Sequence, residues 1–89
     1  MAEIIKTNGE RIKVAPKNGK DFKLDELREI VNGYIEVLYL GDKLMVLNED
    51  GKIDELPINI EATKEYTKYF GPSDIICGNV LLCDCHQIK

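Results

Sequence analysis

The sequence predicts a small α+β domain in which a mainly antiparallel β-sheet of four to six strands carries two short helices. Three observations lead to this fold class. The chain has 89 residues, so we expect a single domain over residues 1–89. Most of its seven glycines lie beside Asn, Asp or Lys and separate short apolar runs, which is typical of many short elements joined by turns. Two of these runs have the apolar spacing of a helix, and the others have the composition of strands.

A β-hairpin is predicted at the N-terminus. The pair Asn8-Gly9 lies between the runs 2–7 and 10–15, and Asn-Gly tolerates the positive φ angles of a tight hairpin turn. In the second run Ile12 and Val14 alternate with basic residues, as in a strand that is buried on one face.

A short helix is predicted over Leu24–Val31, where apolar residues spaced three or four apart form one stripe. Asp25 and Glu26 lie in its first turn, where the helix dipole favours acidic side chains. The pair Asn32-Gly33 that follows is typical of a helix that ends in a left-handed residue.

A second hairpin is predicted from residues 34–40 and 43–48, which flank the pair Gly41-Asp42. Both runs are apolar at odd and at even positions, which is typical of strands covered on both faces. We therefore expect this hairpin at the centre of the sheet, with helices on both faces or with one face left for a partner. An uncovered apolar face would form a homodimer interface.

A second helix is predicted over Ile60–Phe70, with Asn59 as its N-cap and a Gly-Pro pair at its end. A short strand is expected before it, over residues 52–56, and an extended segment after it, over residues 75–77 and 79–84 with a break at Gly78. The helix residues that share one face are Ala62, Tyr66, Tyr69 and Phe70.

The charge of the chain is acidic and unevenly distributed. Residues 1–28 contain seven Lys/Arg and five Asp/Glu (+2), whereas residues 29–89 contain five Lys/Arg and eleven Asp/Glu (−6), for a net charge of −4. The ordinary explanation is a solvated surface, and the functional alternative is an acidic face that meets a basic protein partner.

A cytoplasmic protein without a membrane partner is expected. No apolar run approaches the roughly 20 residues that span a bilayer, and Glu3 lies where a signal peptide carries basic residues. The three cysteines all lie within the last 13 residues, and their odd number fits a reducing compartment.

A motif in the second half of the chain is specific enough to compare with known families. It consists of Asn-Glu-Asp-Gly-Lys at residues 48–52 and Leu-Pro-Ile-Asn at residues 56–59, with Gly-Tyr-Ile-Glu at 33–36 before it and Gly-Asn-Val-Leu-Leu at 78–82 after it. This succession resembles a family of small proteins of unknown function found in bacteriophages, plasmids and conjugative elements. The resemblance implies an origin on a bacterial mobile element and residence in the cytoplasm, and it implies no activity and no catalytic residues.

The cysteine-rich end is the first candidate for chemistry. Cys83 and Cys85 point to one face if they lie on a strand, and Cys77 and His86 are near them in sequence. Zinc sites commonly use paired Cys-x-x-Cys units, and this spacing does not provide them. The alternative is that Cys77 and Cys83 are small buried apolar residues. We therefore expect no metal and no other cofactor.

Catalysis is not predicted. The chain has one serine, Ser73, and one histidine, His86, so a Ser-His-Asp triad would need both, and Ser73 lies in a turn context beside Pro72. No glycine-rich phosphate loop is present in the sequence.

Two binding surfaces stay open as alternatives. The first is a recognition loop for a protein partner that contains Asn48, Glu49, Pro57 and Asn59, although the two asparagines would also serve as a turn residue and a helix cap. The second is a nucleic-acid surface, for which solvated lysines that protect an edge strand are the ordinary explanation. Its basic residues are Arg11, Lys13, Lys17, Lys20 and Lys23. We expect a non-enzymatic accessory module that binds a protein, with nucleic-acid binding as the alternative.

Overall fold

The computed structural model describes residues 2–88, in which each of the two α-helices follows a β-hairpin. The elements are β1 (Ala2–Ile5), β2 (Arg11–Val14), α1 (Leu24–Val31), β3 (Ile35–Leu40), β4 (Lys43–Asn48), α2 (Ile60–Phe70), β5 (Val80–Asp84) and a 3₁₀ helix (Cys85–Gln87). The strands form one antiparallel sheet in the order β2-β1-β5-β4-β3. This confirms the predicted α+β class, and both helices have the predicted bounds.

The two helices cover opposite faces of the sheet. Successive side chains of a strand point to opposite faces, so β4 sends Val46 toward α1 and Met45 toward α2. The face under α1, called the α1 face below, carries one apolar cluster that includes Leu27 and Val31 of the helix. The opposite face, called the α2 face, carries a second cluster that includes Ala62. Each face of the sheet is therefore part of its own hydrophobic core.

The expectation that the hairpin β3–β4 forms the centre of the sheet is wrong. β5 is the central strand, and β3 is an edge strand with one neighbour, β4. Within β5, Val80 and Leu82 point to the α2 face while Leu81 and Cys83 point to the α1 face, and all four are buried. The apolar pattern of β5 resembles that of β3, so the pattern alone does not distinguish the central strand from the edge strand.

The expected strand over residues 52–56 is also wrong, because this segment forms consecutive turns. Backbone hydrogen bonds run from Asp54 N–H to Asp50 O (2.8 Å) and from Leu56 N–H to Gly51 O (2.9 Å), and they hold the segment in a compact loop. Glu55 has a positive φ of 55°, which a continuous strand does not contain.

The predicted apolar face of α2 is only partly buried. Ala62 is fully buried and Tyr66 packs against the α2-face cluster, but Tyr69 and Phe70 are 56% and 44% exposed. The ring of Tyr69 lies beside Gly41, in the turn that joins β3 to β4. The C-terminal turn of α2 therefore reaches the end of the hairpin, where the strands no longer cover it.

Candidate interaction surface

Asn59, one of the predicted binding residues, holds α2 on the sheet. Its Oδ1 accepts a hydrogen bond from the backbone N–H of Ala62 (2.9 Å), which makes it the N-cap of the helix. Its Nδ2 donates to the carbonyl oxygens of Ile5 and Gly78, both at 2.9 Å. The side chain is fully buried, so its hydrogen bonds are directed inward to the protein.

Asn48 has the corresponding role for α1. Its Nδ2 donates to the carbonyl oxygens of Val31 (3.1 Å) and Asn32 (3.3 Å) at the C-terminal end of the helix. Its Oδ1 accepts from the N–H of Asp50 (2.8 Å) and closes the turn after β4. A Cβ atom at Gly33 would lie 2.7 Å from this Nδ2, so the amide needs glycine at that position.

The other residues of the motif at 48–59 differ in what they contact. A Cβ atom at Gly51 would lie 2.9 Å from the carbonyl oxygen of Cys77, so only glycine allows this close approach. Lys52 forms an ion pair with Asp74. The carbonyl oxygen of Pro57 accepts from Gly78 N–H. Glu49 differs from these residues, because its side chain is exposed and no ion pair within residues 2–88 includes it.

The predicted basic surface is divided by carboxylates. Arg11 donates to Glu3 (2.8 Å), Glu65 (3.1 Å) and Glu61 (3.2 Å) on the α2 face, and these acceptors, Glu3 above all, raise the pKa of Arg11. The positive charge of Arg11 is therefore balanced by three carboxylates and is not free to bind a phosphate group. The remaining basic residues lie on β2 and in the loop that follows it: Lys13, Lys17, Lys20 and Lys23, the last within 3.5 Å of Asp21. Nucleic-acid binding by these residues stays a prediction.

The cysteines that were considered as metal ligands lie on different sides of the sheet. Cys83 is buried in the α1-face cluster, whereas Cys77 is buried beside the loop that contains Gly51. Cys85 and His86 are exposed on the 3₁₀ helix. Within residues 2–88, no three His, Cys, Asp or Glu side chains are close enough together to hold a metal ion.

The two edges of the sheet differ in how well they are protected against pairing with another strand. The β2 edge carries Arg11 and Lys13 and is followed by Pro16, and edge strands that avoid pairing usually carry such residues. The β3 edge has the sequence Ile-Glu-Val-Leu-Tyr-Leu, with no lysine, arginine or proline. Glu36 is its one charged residue, so β3 has the composition of a strand that accepts a neighbour.

The backbone of β3 is oriented for such pairing. The N–H of Glu49 donates to Tyr34 O (2.9 Å), which places the backbone groups of Tyr34 toward β4. Antiparallel strands direct their backbone groups alternately toward and away from the neighbour, so those of Ile35, Val37 and Tyr39 point away from β4. These three residues therefore present three N–H donors and three C=O acceptors at the open edge.

An apolar groove of about 440 Å³ lies along β3 on the α1 face. Helix α1 lies over β4 and β5 as well as β3 and is only 8 residues long, so the outer side of β3 remains uncovered. The groove is lined by Leu24, Val37, Tyr39, Leu44 and Cys85, among others. Leu24 is 52% exposed and Tyr39 67% exposed, which leaves apolar surface beside the open strand edge.

A second recess of about 360 Å³ lies beside β3 on the α2 face. Its lining includes Glu36 and Leu38 of β3, Glu49 and Ile53 of the loop after β4, and Tyr66 of α2. Apolar side chains lie in it beside the carboxylates of Glu36 and Glu49, which take part in no ion pair within residues 2–88. Strand β3 therefore borders an apolar groove on one face and an acidic recess on the other.

Of the residues predicted for the recognition loop, Glu49 and Asn48 line the acidic recess, whereas Asn59 is buried away from it. The residues of β3 were missed as candidate binding residues, because a strand that is apolar on both faces resembles a central strand. The contrast in charge between residues 35–40 and residues 11–16 would have indicated which edge is open.

Comparisons with known proteins agree with the resemblance in its general form. The model of a family described as a domain of unknown function (DUF3846) matches residues 3–88, which includes the N-terminal hairpin and the cysteine-rich end. No curated protein and no solved structure matches the chain. Within residues 2–88, no helix has the length and apolar character needed to cross a membrane. Since the matched region covers nearly all of the sequence, the chain belongs to this family of domains of unknown function.

Proposed function

We propose that this chain is a non-enzymatic interaction module that binds a protein partner by adding an extended segment of that partner to β3. The observation that carries the proposal is the open β3 edge, with outward backbone groups and recesses along both faces. Strand addition to an exposed sheet edge is a common mode of peptide recognition, in which backbone hydrogen bonds supply affinity and side-chain pockets supply specificity.

The setting of this function is part of the proposal. The resemblance of residues 48–59 supports a gene on a bacterial mobile element or phage, and hence an accessory protein in the bacterial cytoplasm. Recognition by strand addition needs no catalytic group, which agrees with the structural roles of Asn48 and Asn59 in the motif.

A proline placed at the open edge tests the proposal. Tyr39→Pro removes one outward N–H, which an edge strand tolerates and an added strand does not. Lys13→Pro is the matched control, because Lys6 N–H donates to Glu10 O (2.8 Å) and the same alternation points the Lys13 backbone away from β1. Both variants should keep the circular dichroism spectrum of the natural chain.

The readout is a pull-down from a nuclease-treated bacterial lysate with the natural chain and both variants as baits. We expect the natural chain and Lys13→Pro to retain the same protein and Tyr39→Pro to lose it. Equal retention by Tyr39→Pro would contradict strand addition at β3. The natural chain is also tested in an untreated lysate. A protein that it retains there but loses after nuclease treatment would favour the nucleic-acid alternative.

A further inference from the structure

The alternation of β3 determines what a strand beside it would contact. Ile35, Val37 and Tyr39 point to the α1 face and line the apolar groove, whereas Glu36 and Leu38 point to the α2 face and line the acidic recess. Residues directly opposite each other on adjacent strands share a face of the sheet. Every second side chain of an added strand would therefore enter the apolar groove, and the side chains between them would enter the acidic recess.

The charge of the recess favours a basic side chain. Lys52 also lines it, but Lys52 is paired with Asp74, so the carboxylates of Glu36 and Glu49 remain without a cation within residues 2–88. Apolar atoms of Leu38 and Ile53 lie in the same recess and could contact the methylene stem of a lysine or arginine. The side chain that fits is therefore long, apolar along its length and positively charged at its tip.

The opposite edge of the same sheet already has this arrangement. Strand β2 directs Arg11 to the α2 face, where Glu3, Glu61 and Glu65 accept its hydrogen bonds. The apolar residues of β2, Ile12 and Val14, alternate with Arg11 and point to the α1 face, where Val14 packs on the apolar cluster. A basic–apolar strand bound to carboxylates of the α2 face is thus a geometry that this sheet supports.

From these observations we infer that the segment bound by β3 is an extended peptide that alternates apolar and basic residues. Its apolar side chains occupy the groove beside Tyr39, and its lysine or arginine side chains reach Glu36 and Glu49. This inference rests on the proposed function, because it specifies the chemistry of the partner for the same edge. It also gives the acidic surface of residues 29–89 a definite role in recognition.

Synthetic peptides test this chemistry. Three capped peptides of six residues, the length of β3, alternate valine with lysine, with serine or with glutamate. In titrations at low salt followed by calorimetry, we expect the valine–lysine peptide to bind about tenfold more tightly than the valine–serine peptide, as two exposed ion pairs would provide. The valine–glutamate peptide should bind more weakly than both, and about 0.5 M salt should reduce the difference.

A charge-reversal variant locates the effect. Glu36→Lys/Glu49→Lys should reverse the preference and bind the valine–glutamate peptide most tightly. Glu10→Lys/Asp54→Lys is the matched control, because both residues are exposed, neither lines the two recesses, and the change in net charge is the same. This control should keep the preference of the natural chain. Protection of the Cys85 thiol from alkylation by the bound peptide would place the peptide in the groove.

The outcomes separate the inference from the proposed function. If all three peptides bind equally and Tyr39→Pro abolishes their binding, strand addition stands and the basic preference is overturned. If the control variant reverses the preference as well, the effect is one of net charge and the inference also fails. If sedimentation shows a dimer that Tyr39→Pro dissociates, the edge is occupied by a second copy of the chain and the inference is wrong. If no peptide binds and the partner is retained by Tyr39→Pro, both proposals fail.

Discussion

Two buried asparagines attach the helices to the sheet. Asn48 reaches the C-terminal end of α1 from β4, and Asn59 caps α2 while it donates to the end of β1 and to the bend at Gly78. A primary amide can do this because it offers an acceptor and two donors on one short side chain. A carboxylate of the same shape offers acceptors only.

Asn59→Asp tests this role. The variant keeps the cap of α2 but places a carboxylate against the carbonyl oxygens of Ile5 and Gly78, which lose their donors. We expect the free energy of unfolding to fall by about 4 kcal/mol, as for other buried uncompensated charges. Urea denaturation followed by circular dichroism measures the change.

Asn79→Asp is the control for that experiment. The Oδ1 of Asn79 accepts from the N–H of Thr7 (3.0 Å), and a carboxylate preserves this hydrogen bond. We expect its free energy of unfolding to change by less than about 1 kcal/mol. Similar losses in the two variants would mean that the donated hydrogen bonds of Asn59 are not what holds α2.

At the scale of elements, the first turn of α1 depends on one acidic residue. The carboxylate of Glu26 accepts from the backbone N–H of Lys23 (2.8 Å) and from that of Lys17 (2.9 Å). These two hydrogen bonds lower the pKa of Glu26 below its usual value of 4.5, and the one from Lys23 has the larger effect. The loop before α1 is thereby fixed to the helix.

The lowered pKa of Glu26 predicts an acid-sensitive contribution to stability. A group with a depressed pKa in the folded state stabilises fully above its unfolded value of 4.5, and this contribution is lost as the pH falls through the lower folded value. Glu26→Gln should lower stability at neutral pH and leave it less dependent on pH below about 4.5. Thermal denaturation between pH 7 and pH 3 measures this, and parallel curves for variant and natural chain would contradict it.

The elements differ in how far the sequence determines them. Leu24–Val31 and Ile60–Phe70 were predictable because an apolar stripe and end signals such as Asn59 are local properties of a helix. The order of the strands was not predictable, since β3 and β5 are both apolar at odd and even positions and no local signal places β5 between β1 and β4. The open edge, and with it the candidate site, depends on that order. Glu49 was predicted as a binding residue of the loop, whereas Glu36, although it ends the Gly-Tyr-Ile-Glu segment of the same motif, was not.

For the whole molecule, buried thiols on the two sides of the sheet can report on whether the domain unfolds as one unit. Cys83 lies in the core of the α1 face, and its burial, with the nearby charge of Asp84, raises the pKa of its thiol to about 11. Cys77 is buried beside the acidic recess of the α2 face, and Cys85 is exposed. The chain therefore contains one buried thiol on each side of the sheet and one exposed thiol as an internal reference.

Alkylation by iodoacetamide should separate these three thiols. We expect Cys85 to react first, and Cys77 and Cys83 to react slowly at one common rate, because a single small domain exposes both cores in the same unfolding event. Mass spectrometry of proteolytic fragments gives the three rates. A rate for Cys77 well above that for Cys83 would show that the α2 layer opens by itself, against a single cooperative domain.

The central position of β5 has a consequence for synthesis on the ribosome. The hairpin β1–β2 and the hairpin β3–β4 leave the ribosome first, but β5 lies between them and pairs with β1 on one side and β4 on the other. Until residues 80–84 have been translated, the two hairpins share no sheet and the inner edges of β1 and β4 stay unpaired. The inner edges of β1 and β4 thus stay unpaired until β5 has left the ribosome, and the chain assembles its sheet only when the strand that joins the hairpins emerges.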